Sequence, residues 1–91
     1  MPIDIRTYLN NLLNSHSISK ESVDCIYQEY LRLRDDYLAG KLHKSSLNAL
    51  TNLREEEKEI RTHQREENLP TIEDMALFTM AKSICDKAKI G

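Results

Sequence analysis

Glycine and proline are scarce in this chain, with two of each in 91 residues. All-β and loop-rich folds consume both in their turns, so the shortage argues against either. Tryptophan is absent, and four tyrosines and one phenylalanine make up the aromatic complement. Apolar runs are only a few residues long. None approaches the ~20 residues that a helix needs to span a bilayer. An excess of one charge is also missing: 13 Lys and Arg stand against 15 Asp and Glu, for a net charge of −2. That balance excludes a globally polybasic binder of nucleic acid or membrane, though it leaves room for a local patch.

Cysteine is limited to Cys25 and Cys85, far apart and in no CxxC pair. Met1-Pro2-Ile3-Asp4 shows neither the basic stretch nor the apolar core of a signal peptide. The expectation is therefore two free thiols, both structural, in a reducing cytoplasmic setting. Cys25 is expected on the polar side of its helix, beside Asp24 and within a turn of Glu21 and Glu29. Carboxylates there raise a thiol's pKa, which disfavours a nucleophilic role.

The residues present favour helices. With 40% hydrophobic and 31% charged residues, the composition is that of a folded domain, and the length suits a single one over residues 1–91. Ile5, Tyr8, Leu9, Leu12 and Leu13 recur at helical spacing and predict a first helix over roughly 4–14. A second is predicted over 20–39, with Ser19 as N-cap and Gly40 at the left-handed position past its end. Val23, Ile26, Tyr30, Leu33 and Tyr37 form its seam, which Tyr27, Leu31 and Leu38 widen to an arc of roughly 160°. So wide an arc calls for more than one neighbour and predicts that helix two is central.

The third predicted helix, 45–67, starts near Ser45 with Leu47, Leu50 and Leu53 and turns polar after Arg54. Its second half is expected to be helical, poorly buried and projecting past the rest. Leu69-Pro70 breaks the chain. Thr71, with Asp74 as reciprocal capping residue, opens a fourth helix over 72–89, whose broad apolar face includes Leu77, Phe78, Met80, Ala81, Ile84 and Cys85. Gly91 can terminate it. The fold class is thus all-α, a small antiparallel bundle of about four helices.

Chemistry is sparse. Cys25, Cys85, His16, His43 and His63 show no paired metal-ligand spacing, so no metal or other cofactor is expected. No nucleophile stands beside a base, and the chain is read as non-enzymatic. One pattern stands out. Arg54, Lys58, Arg61 and Arg65 recur at i, i+4, i+7 and i+11, within a stripe roughly 60° wide. Glu57 and Ile60 lie on its edge. These six residues are the candidate partner-binding set. The tyrosines of helix two are a second candidate surface, since Tyr supplies apolar area with a polar tip.

The expected function is protein–protein recognition by a small helical regulator, inhibitor, immunity-type protein or adaptor. Size and predicted architecture are similar to those of helical bacteriocin-immunity proteins, a likeness of architecture without a shared motif. A homodimer is a further option, because the short first helix leaves one end of the bundle uncovered. The alternative is a nucleic-acid-associated accessory factor that tracks phosphates with the basic stripe. Glu55, Glu59 and Glu66 flank that stripe and oppose a polyanion.

Overall fold

A computed structural model describes residues 2–63 and 69–90, the last two by backbone alone. Four helices form: α1 (Ile5–Asn14), α2 (Lys20–Leu38), α3 (Lys44–Arg61) and α4 (Ile72–Ile90). No strand occurs among the described residues, and the fold is the all-α bundle that the periodicities predict.

Local chemistry sets most helix ends. Ser19 Oγ accepts from the Ser22 N–H at 3.2 Å, which satisfies a first-turn amide of α2. Gly40 has φ +70, with the Gly40 N–H donating to the Tyr37 carbonyl and the Lys41 N–H to the Asp36 carbonyl. These bonds form the Schellman closure predicted for Gly40. α1 is capped by Asp4, whose carboxylate accepts from the Thr7 N–H at 2.7 Å. That bond holds the Asp4 carboxyl below its ordinary pKa. α1 ends in the same closure as α2, but with His16 in the left-handed position at φ 61.

One cap residue differs from expectation, and at a second cap the reciprocal partner does. Ser45 lies inside the first turn of α3, and His43 is the cap, accepting from the Ser45 N–H through Nδ1 at 3.2 Å. Thr71 caps α4 as predicted, with the Asp74 N–H donating to its Oγ1 at 3.1 Å. The Asp74 carboxylate is drawn away from the capping box by Tyr30, whose hydroxyl donates to it at 2.8 Å.

α4, rather than α2, is the central helix. It packs against α1, α2 and α3, whereas α2 packs against α1 and α4 only. Among the described residues α2 and α3 do not pack together although they are consecutive. Val23, Ile26, Tyr30 and Leu33 are buried against Ile5 and Leu9 of α1 and against Leu77, Phe78 and Ala81 of α4. Tyr8 meets the edge of Phe78 at 5.4 Å between ring centres. Of the rest of the wide α2 arc, Tyr27 and Tyr37 pack half-buried against the core, while Leu31 and Leu38 are 37% and 66% exposed. Once α3 docks on α4, nothing described covers that side of α2.

The two cysteines are not free. Cys25 and Cys85 form a disulfide between α2 and α4, with 6.2 Å between their Cα atoms. The expectation of reduced thiols is corrected. Cys25 sits ~100° around the helix from Ile26, on the flank of the seam, where α4 reaches it. Cys85 is 2% exposed and Cys25 half-buried. The sulfurs join residues 60 apart in sequence. Closing a loop of that length stabilises the fold by about 4 kcal/mol on the chain-entropy account.

α3 is shorter than predicted. It ends at Arg61, with the Thr62 N–H returning to the Lys58 and Glu59 carbonyls. The predicted continuation over 64–67 lies outside the described residues, as does Gly91. Leu50 is the one buried residue of α3; Leu47 is 39% exposed and Leu53 is half-buried.

Candidate recognition cleft

The predicted basic stripe does not present one face. Lys58 is exposed and weakly paired with Glu55 at 3.4 Å. Arg54 is half-buried. Arg61 turns inward with its side chain 6% exposed, 3.5 Å from Glu57, which is itself 15% exposed. An Arg61 guanidinium N–H also donates to the Pro70 carbonyl. Arg61, paired with Glu57 one turn before it, thus ties the end of α3 to the link before α4, and both side chains are largely covered. The cause is tertiary: the chain folds back through Leu69-Pro70 and covers that side of the last turn. Ile60 remains 50% exposed. Arg65 lies outside the described residues.

A second arrangement forms where α1, α2 and the start of α4 meet. A cleft of about 270 Å³ is lined by Asp4, Ile5 and Arg6, by Tyr27, Tyr30, Leu31 and Arg34, and by Asp74. Tyr27, Leu31 and Arg34 occupy i, i+4 and i+7 on α2, which places them on one stripe. Leu38 at i+11 extends that stripe beyond the cleft.

The floor is rigid. Tyr27 and Tyr30 stack with centroids 6.3 Å apart and planes 20° apart. The Arg6 guanidinium lies 5.1 Å above the Tyr27 ring, within cation–π range. Burial raises the Tyr30 hydroxyl far above the ordinary tyrosine range, helped by its hydrogen bond to Asp74 and by that carboxylate's charge. It therefore remains a neutral donor under all physiological conditions. Tyr8 is raised as well, through burial and then the nearby Glu57 charge.

The charges in the cleft are unevenly committed. Asp4 accepts from the Thr7 N–H and Asp74 from the Tyr30 hydroxyl. Arg6 and Arg34 are both exposed. Among the described residues neither forms an ion pair with a carboxylate. Two exposed arginines therefore flank a tyrosine floor and an exposed leucine.

Sequence reasoning found the tyrosines but not Arg6, Arg34, Asp4 or Asp74 as their company. The i, i+4, i+7 spacing of Tyr27, Leu31 and Arg34 was a legible signal for three of the eight lining residues. The approach of Arg6 and Asp74 is tertiary. Among the described residues, no three His, Cys, Asp or Glu side chains converge on a metal-sized site. No described helix is long and apolar enough to cross a membrane.

No family model, curated protein or solved structure matches the chain.

Proposed function

We propose that the chain is a non-enzymatic recognition module that binds another protein through the outer face of α2 and the adjoining cleft, rather than through α3. The observation that carries this reading is the uncovered α2 stripe. Leu31 remains exposed beside Tyr27, Arg6 and Arg34, and Leu38 is exposed one turn past Arg34, beyond the cleft. Tyr and Arg, which line this mostly polar cleft beside the exposed Leu31, are among the residue types that dominate binding energy at protein interfaces. The carboxylate-free arginines favour a partner segment that carries acidic side chains next to apolar ones, since Arg binds carboxylates in a forked, two-point geometry. Regulator, inhibitor, immunity-type protein and adaptor all fit this mode of action.

The nucleic-acid alternative is the less favoured reading, because Arg61 is turned away from the basic stripe toward Glu57 and the Pro70 carbonyl. The cytoplasmic location expected from the sequence rested on the character of Met1-Pro2-Ile3-Asp4 and carried reduced thiols with it. The Cys25–Cys85 bond favours an oxidising compartment instead.

Affinity capture with the wild-type chain and with an Arg6→Glu/Arg34→Glu variant tests the proposal. The expected result is one stoichiometric protein partner, retained by the wild type and lost by the variant. Equal capture by both would contradict the surface. Retention on DNA that falls steeply with salt, with no protein partner, would contradict the function.

A further inference from the structure

We infer that the Cys25–Cys85 cystine is formed by thiol–disulfide exchange on the folded chain in a fixed order, with Cys25 as the entry sulfur and Cys85 as the resolving one. The two sulfurs are unequally placed. Cys85 is 2% exposed on the central helix, and Cys25 is half-buried on the flank of α2. Cys25 is therefore the more accessible of the two residues, and Cys85 is closed off in the folded chain. A 6.2 Å separation of the Cα atoms sets the two side chains within bonding distance once α2 lies on α4.

Two exchanges follow. The Cys25 thiolate attacks one sulfur of a small or protein disulfide, forming a mixed disulfide and expelling the other half as a thiolate. The Cys85 thiol then attacks Cys25 Sγ, closing the cystine and expelling the second half, which takes the Cys85 proton and leaves as a thiol. Overall, two protein thiols give up two protons and two electrons, and one oxidant disulfide is reduced to two thiols. Glu21 and Asp24 are exposed on α2 close to Cys25. They slow the first step with an anionic oxidant such as glutathione disulfide, so added salt accelerates it with that oxidant.

The test is a time course on the full chain, reduced, desalted and exposed to glutathione disulfide, with acid quenching and peptide mass analysis. The wild type is expected to pass through a glutathione adduct at Cys25 alone and to end with no free thiol. A Cys85→Ser variant should accumulate the Cys25 adduct. A Cys25→Ser variant should leave Cys85 at least tenfold less modified until denaturant is added. Circular dichroism establishes that both variants remain helical, and the wild-type time course reads the order even where one does not fold. Equal adduct formation at both cysteines in the folded chain would overturn the order. Two thiols persisting in excess glutathione disulfide would overturn the cystine as a native bond.

Discussion

The α2–α4 seam and helix α3 differ in almost every physical respect. The seam holds a continuous buried stripe from Val23 to Leu33, a cross-helix hydrogen bond from Tyr30 to Asp74, and the disulfide. α3 rests on α4 by one fully buried leucine, Leu50, and is fixed at its far end by the Arg61–Glu57 pair and the Pro70 carbonyl. The charged helix looked like a binding surface in sequence because it had little else to do. In the structure two of its charges are structural. The seam helix, rich in apolar residues, is the one with side chains to spare.

Core truncation should give the largest contrast. Leu33→Ala is expected to cost about 3 kcal/mol, within the range for buried leucines. Leu47→Ala, on the exposed side of α3, should cost well under 1 kcal/mol, as ordinary surface changes do. Equal losses in urea unfolding would show that α3 is as deeply integrated as the seam.

A charge contrast within α3 comes next. Arg61→Ala removes a cation from a nearly buried pair and strands Glu57, so a loss of about 2 kcal/mol is expected, below the range for fully buried pairs. Lys58→Ala should be close to neutral, because exposed pairs contribute little. Thermal melting of the two variants side by side decides it. A neutral Arg61→Ala would return that residue to the surface.

Tyr30→Phe should cost about 1 kcal/mol by deleting the hydroxyl that bonds Asp74. It also has a pH signature. The folded-state pKa of Tyr30 lies above its unfolded value near 10. The protonated hydroxyl therefore contributes its full stabilisation below that value, and the contribution falls as pH rises beyond it. Wild-type stability should decline above about pH 10 more steeply than that of Tyr30→Phe. Parallel decline in both would place the titrating group elsewhere.

The smallest effects compare the caps. Ser19→Ala should destabilise by about 1 kcal/mol. His43→Asp should stabilise by roughly 0.5 kcal/mol, since Asp is the better N-cap and also suits the positive pole of the helix dipole. Amide exchange should place the His43→Asp gain in α3 and leave the seam unchanged.

Much of the seam was legible because its signals are local. Ser19, Gly40 and Thr71 set helix ends through bonds to residues within a turn, and Val23, Ile26, Tyr30 and Leu33 repeat at helical spacing. What failed was relational. Periodicity gives an apolar arc but not which part of it finds a neighbour, so Leu31 and Leu38 were assigned to the interior. Cys25 sits off the main stripe, and only the rotation of α2 against α4 brings it to Cys85. Arg61 occupies the same helical stripe as Lys58, yet the Leu69-Pro70 link covers one and not the other. Tyr30 and Asp74, separated by 44 residues, meet through packing that no spacing encodes.

The most direct test of the central claim is a calorimetric titration of the captured partner into three proteins: wild type, Arg6→Glu/Arg34→Glu and Lys58→Glu. Recognition through the α2 face predicts that the double variant binds more than tenfold more weakly with its melting temperature nearly unchanged, while Lys58→Glu binds like wild type. Unchanged binding by the double variant, together with a tenfold loss in Lys58→Glu, would return recognition to α3 and contradict the account.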